Sequence, residues 1–445
     1  MAPGTQHPAL TSAPPASAGA FLRHLGPGFI ITATIVGSGE LIVTPKLGAS
    51  VGFTLLWFII LGCALKVFVQ IQLARTAVAT GRTTLEALDT MPGPRARVSW
   101  VLWLWLAMYL SLIFQVSGIV GGIAGVFAEL GIGWGPRGWA LPVGLSCALL
   151  LASGRYQTVE RGATWMVTLF TISAIVSVAV LQGTGYRISG ADLWSGLRFD
   201  LPDSFTVAFA AFGVIGVGAS ELIYYPYWCL EKGYARHVGP DDGSDGWVAR
   251  ARGWLGVMRV DAALSLVLYT SITVAFYLLG AAVLHRRGLD VTNADMIHVL
   301  SQMFRDSLGE WTLVMFLLGA LFVLYSTYFG ATAANARLAA DALPLFGVTT
   351  YRDAAHRQRV VRWFSIGISL TCAAVYLVWS QPVTLVLIGA TGQALMLPFL
   401  GAAAVRFDRQ LDPRLRGPSW ERAGLWLSAT GMVALGAYQL WDVLT

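Results

Sequence analysis

The chain has 445 residues, 56% hydrophobic and only 12% charged, with a mean hydropathy of +0.64 and a formal net charge of +6. A soluble domain carries about a quarter charged residues, and roughly 20 apolar residues in a row span a hydrocarbon core, so the composition excludes an ordinary soluble protein. The four cysteines, Cys63, Cys147, Cys229 and Cys372, lie in apolar segments at unrelated spacings and suggest neither a disulfide framework nor a zinc site.

In chain order, the first twenty residues are rich in Pro, Ala and Ser, with no basic stretch ahead of an apolar one. A disordered tail over 1–22 is expected rather than a cleaved signal, followed by a single transmembrane domain over 23–445. Eleven spans are expected, near 27–48, 53–73, 100–126, 139–152, 164–181, 205–230, 260–284, 311–334, 363–379, 383–404 and 424–441. The fourth is short for a full crossing. Trp57, Trp100, Trp103, Trp139, Trp363 and Trp426 stand near span ends, where interfacial anchors belong. The stretch 246–261 mixes Trp and Arg and is expected to lie along the inner membrane surface.

With the N-terminus inside, 21 of the 30 basic residues fall in inner segments and seven in outer ones. The positive charge therefore reads as topology: a multi-pass protein of the cell membrane, N-terminus cytoplasmic and C-terminus outside. A nucleic-acid partner is not expected.

Two spans share a motif. Val36-Gly-Ser-Gly-Glu-Leu-Ile-Val-Thr-Pro45 in span one matches Val217-Gly-Ala-Ser-Glu-Leu-Ile-Tyr-Tyr-Pro226 in span six at six of ten positions. Five spans apart, the copies run antiparallel, as an inverted five-plus-five repeat requires. Small residues (Gly37, Ser38, Gly39; Gly218, Ala219, Ser220) permit backbone that a helix forbids, and Pro45 and Pro226 each remove a backbone donor. Both features favour helices that unwind at membrane depth, which is tolerated where backbone is packed in protein or lines a wet cavity. Glu40 and Glu221 open the second half-helices, where a carboxylate gains from the N-terminal dipole. Capping alone is one reading of the pair. A carboxylate at membrane depth is expensive, however, and the favoured reading is a substrate site made by Glu40, Glu221, Gly37, Ser38, Ser220, Ala219 and Gln393.

Segment 26–62 and Gly392-Gln-Ala-Leu-Met-Leu-Pro-Phe399 resemble the Nramp metal-ion transporters. The resemblance implies the LeuT-type fold, all-α, with repeats over about 27–181 and 205–404 and an accessory helix at about 424–441. The family's Asp-Pro-Gly-Asn becomes Gly37-Ser38-Gly39-Glu40, and its Met-Pro-His becomes Ala219-Ser220-Glu221. The metal-binding Asp position is thus Gly37, and the thioether is replaced by oxygen. Span three carries no acidic residue where the family places its proton-path carboxylates. Tyr109, Ser111, Gln115 and Ser117 there do not titrate readily near neutral pH. These departures point to a divergent, Nramp-related branch.

Oxygen ligands suit Mg²⁺ and Mn²⁺ better than soft metals, and Mg²⁺ keeps much of its water. The leading expectation is uniport of a partly hydrated hard divalent cation, with no cofactor and with the lipid bilayer and the solute as the partners. Lys66, about 13 Å into span two, either snorkels to the inner surface or faces the cavity as a charge partner to a carboxylate. The alternative substrate is a small organic ammonium held against Tyr224, Tyr225 and Trp228 by cation–π attraction. A non-transporting sensor is a third reading. No enzyme is expected: no nucleophile–His pair appears in a span, and His7, His24, His237, His285, His298 and His356 fall outside span interiors. Ser326, Thr327, Thr332 and Asn335 in span eight either line the same cavity or bond neighbouring helices.

Overall fold

The computed structural model of the chain describes residues 11–15, 17–28, 32, 35–153, 156–202 and 204–444. It is all-helical apart from a hairpin of two-residue strands, Arg95–Ala96 and Val98–Ser99, on the connection that leads into Trp100. The expected tail lies partly outside the described residues. Within it, α1 (Ala18–His24) is helical, and Ser12 accepts a hydrogen bond from the Trp254 indole at 3.0 Å.

The first expected span resumes after a break as a π-helical turn, Gly39–Val43, and α2 (Thr44–Val51). Then follow α3 (Leu56–Thr80), short α4 (Thr84–Asp89), α5 (Trp100–Glu129), α6 (Gly135–Ser153) and α7 (Tyr156–Leu181). The fourth span is thus longer than its apolar run, a 19-residue helix with Pro142 inside. After α8 (Gly190–Ser195) the sixth span is split into α9 (Thr206–Val214) and α10 (Ala219–Glu231). Short α11 (Tyr234–Val238) leads to α12 (Asp245–Leu279), which a π turn extends through His285. The remaining helices are α13 (Met296–Leu308), α14 (Thr312–Leu345), α15 (Ala354–Val378), α16 (Pro382–Gln410) and α17 (Ser419–Leu444).

One sequence expectation needs correction. Residues 246–261 are not a separate surface segment but the first turns of α12; Trp247, Trp254 and Met258 are buried there against protein. The connection before span eight carries α13, which packs on α5, α7 and α14.

Among the described residues, seven helical segments are long and apolar enough to cross a membrane. The broken segment 206–231 is the most enclosed of them and α15 the least. Large apolar side chains such as Leu149, Val267 and Val378 face outward, as a lipid-exposed girdle requires. Around the centre, α5 packs along α16, α9 along α16, and α10 along α3, so the two breaks are ringed by continuous helices. Asp261 of α12 ties down the start of span one, accepting from the Gly26 and Gly28 amides at 2.9 and 2.5 Å and from the Tyr225 hydroxyl at 2.9 Å.

Candidate functional site

Both breaks arise from local backbone chemistry. In span one Val36 N–H still reaches Thr32 O at 3.1 Å, but Gly37 N–H turns to Ile35 O at 2.7 Å and the α-helical ladder stops. A Cβ on Gly37 would collide with the Thr327 hydroxyl of α14. In span six the chain leaves the helix at Ile215–Gly218, where Gly216 takes a φ of +57° that side chains with a Cβ resist.

The second break frees polar backbone that specific side chains then recapture. Gly216 N–H would normally close onto Phe212 O; instead it donates to Glu40 Oε1 at 3.3 Å. Lys66 Nζ takes over, donating to Phe212 O at 2.6 Å and Ile215 O at 2.5 Å, and lying 4.7 Å from the Phe212 ring centroid. Glu40 Oε1 also accepts from the Thr273 hydroxyl at 3.0 Å, and Glu40 and Lys66 are both fully buried. Lys66 therefore does not snorkel. Of the two readings that the sequence left open for Lys66, the charge partner takes no direct form: among the described residues no ion pair joins it to Glu40 or Glu221, and its hydrogen bonds go to backbone.

Glu221 has different company. Its Oε2 accepts from Ser220 Oγ at 2.8 Å. The Ser220 amide donates to Gln393 Oε1 at 2.8 Å, Gln393 Nε2 to Gln115 Oε1 at 2.8 Å, and Gln115 Nε2 to Ser38 Oγ at 3.1 Å. A polar chain thus runs from one break to the other through α16 and α5. Beside it is a cavity of about 30 Å³, room for one or two waters, whose polar lining is Ser38, Gln115, Ser220, Glu221, Tyr224, Thr327, Asn335 and Gln393. The donors are oxygen and amide groups, without sulfur. No cluster of three or more His, Cys, Asp or Glu side chains is found among the described residues. Among the residues that line the cavity, Glu221 is the single carboxylate.

Of the residues expected at the site, Ser38, Ser220, Glu221, Gln393 and Tyr224 line this cavity, whereas Gly37, Glu40, Ala219, Lys66, Tyr225 and Trp228 do not. The two glutamates do not share one cavity: Thr273 and the Gly216 amide draw Glu40 toward α12. Tyr225 is taken up by Asp261 and by Met258 O at 3.1 Å. Trp228 belongs to a separate space of about 10 Å³, where the Arg337 guanidinium sits 5.7 Å from its ring centroid. Thr327 and Asn335, expected either to line the cavity or to bond neighbours, do line it, and Asn335 also accepts from Tyr224 OH at 2.5 Å. Sequence reasoning missed Gln115 as a site residue. The available signal was an amide in the middle of an apolar run, where a lone polar group needs a partner.

The sequence pattern described as natural resistance-associated macrophage protein-like (Nramp) matches residues 28–442. A divalent metal cation transporter MntH of Mycobacterium tuberculosis is 26% identical over 304 residues, 67% of this chain. The chain spans 65% of that relative's length. Metal transporter Nramp6.2 of Populus trichocarpa is 30% identical over 156 residues, 35% of this chain and 27% of its own. Among solved structures, a manganese transporter of Eremococcus coleocola superposes with a TM-score of 0.67 at 15% identity, covering 96% of this chain and 88% of that one. MhsT in complex with L-phenylalanine superposes at 0.58 and 12% identity, covering 97% and 99%.

Proposed function

Because the chain belongs to the natural resistance-associated macrophage protein-like family and has the LeuT-type fold, we propose that it is a secondary transporter of a hard divalent cation, Mg²⁺ or Mn²⁺. The observation that carries this reading is the donor set of the central cavity. Glu221, the hydroxyls of Ser38, Ser220 and Thr327, and the amide oxygens of Gln115, Asn335 and Gln393 are hard ligands. The relatives named for divalent metal and manganese transport support the cation class.

The cavity size argues against the organic-ammonium alternative. About 30 Å³ accepts an ion with one or two waters but not an aromatic-caged amine, and Arg337 already stands over Trp228. With Glu221 as its single carboxylate, the site would take a cation that retains water and leans on neutral oxygens.

The transport mode proposed is uniport. Span three (α5) presents Tyr109, Ser111, Gln115 and Ser117, none of which relays protons near neutral pH. The membrane potential alone favours cation entry by about 2.3 kcal/mol per charge per 100 mV. The basic-residue distribution supports an inward N-terminus, which cysteine labelling of the connection before α15 would test by access from the inside only.

The deciding experiment is uptake into liposomes of Mg²⁺, Mn²⁺, Ca²⁺, Cd²⁺ and organic amines, with a pH-sensitive dye trapped inside. Mg²⁺ or Mn²⁺ uptake without acidification is expected, with Cd²⁺ a weak competitor. Acidification that follows uptake, or preference for Cd²⁺, would remove the uniport and hard-ion readings respectively.

A further inference from the structure

Lys66 does something that neither topology nor charge balance demands. A lysine buried completely in mid-membrane is costly, and here its compensation is backbone: Phe212 O and Ile215 O, two carbonyls released by the break in span six. Across from them stands Glu40. The Ile215 carbonyl and the Gly216 amide belong to the same peptide unit, so the ammonium holds its oxygen end and the carboxylate its N–H end. That peptide dipole lies between charges of the signs it prefers.

Freed carbonyls at the end of a half-helix, beside a buried carboxylate, are the ligands with which broken transmembrane helices hold a small cation. Glu40 Oε2 accepts no hydrogen bond from any described residue. The Glu221 cavity includes none of Lys66, Glu40 and Phe212, so the two places are separate. We propose that Phe212 O and Ile215 O form a second cation site, with Glu40 on the far side of the Ile215–Gly216 peptide, and that Lys66 fills it as a tethered ion in place of a free monovalent cation. The protein thereby needs no Na⁺ or K⁺ to complete span six. The idea extends the transporter reading to its independence from a coupling ion, but the site itself is testable without transport.

Removing the tether should reopen the site. Lys66→Ala, purified in detergent, should gain about 3 °C in melting temperature when N-methylglucamine chloride is replaced by NaCl at equal ionic strength, while the wild type stays unmoved. Equal shifts in both proteins, or none in a folded Lys66→Ala, overturn the proposal. Should that variant fail to fold, wild-type uptake decides. Replacing all Na⁺ and K⁺ by N-methylglucamine should leave the rate of divalent cation entry within about twofold, and a fall of about tenfold or more overturns the proposal. A Na⁺-stabilised Lys66→Ala alongside wild-type protein that moves no divalent cation would sink the transporter reading and leave the tethered ion standing.

Discussion

The side-chain amide of Gln393 donates to Gln115 at 2.8 Å, and through this one bond the breaks in spans one and six become parts of a single polar unit. Gln115 holds Ser38 on one side and Gln393 on the other, and Gln393 in turn accepts the Ser220 amide. Replacing Gln115 with Leu leaves Gln393 Nε2 without its acceptor beside the cavity, a desolvation cost of about 1–3 kcal/mol. Uptake at subsaturating cation should fall by about tenfold, read as a rise in KM. An unchanged KM would mean that the chain of amides is only structural.

Glu221 is the single carboxylate in the cavity, so Glu221→Gln removes its only formal negative charge. Affinity of oxygen sites for hard dications follows ligand charge. The apparent KM for Mg²⁺ or Mn²⁺ should rise by about tenfold or more, with a melting temperature near wild type, since Gln can still accept from Ser220. Uptake like that of the wild type would return Glu221 to a capping role.

Glu40 should separate from Glu221 in its phenotype. Glu40→Ala strips the acceptor from Gly216 N–H and Thr273 Oγ1 in a fully buried setting. Leaving buried donors unsatisfied costs about 1–3 kcal/mol. Glu40→Gln keeps an acceptor and should melt closer to wild type. Chemical denaturation or thermal melting of the two variants in detergent tests this; equal stability of Glu40→Ala and wild type would contradict it.

Gly216 and Gly131 both have positive φ, +57° and +68°, but only Gly216 is hemmed in. A Cβ there would lie 2.9 Å from Cys63 Sγ and 3.0 Å from the Tyr269 ring, whereas Gly131 has open space. Each alanine substitution carries about 1–2 kcal/mol of left-handed backbone strain, and Gly216→Ala adds the collision. Gly216→Ala should melt lower than Gly131→Ala and should abolish uptake, while Gly131→Ala transports normally. Matching phenotypes would show that the break does not depend on close packing.

The apolar helices, the family and the two breaks were legible in the sequence because each is written locally. A run of apolar residues declares a membrane helix by length alone, and Gly-Ser-Gly-Glu with a following Pro marks where backbone can leave a helix. The inverted repeat followed from the repetition of that motif five spans on, and the LeuT-type fold was implied by the resemblance to the Nramp transporters. Facing was not legible. Glu40 and Glu221 occupy equivalent positions in the repeat, yet one is drawn to Thr273 of α12 and the other lines a cavity with Gln115 and Asn335. Glu40 lies inside a π turn, Gly39–Val43, whereas Glu221 lies in the first turn of an α-helix. Lys66 shows the same limit: its carbonyl partners lie 146 and 149 residues away and become acceptors only once span six has broken. The sequence by itself determined which groups are buried at membrane depth. Tertiary packing decided which of them meet, because a buried charge takes whatever partner the neighbouring helices bring within hydrogen-bond reach.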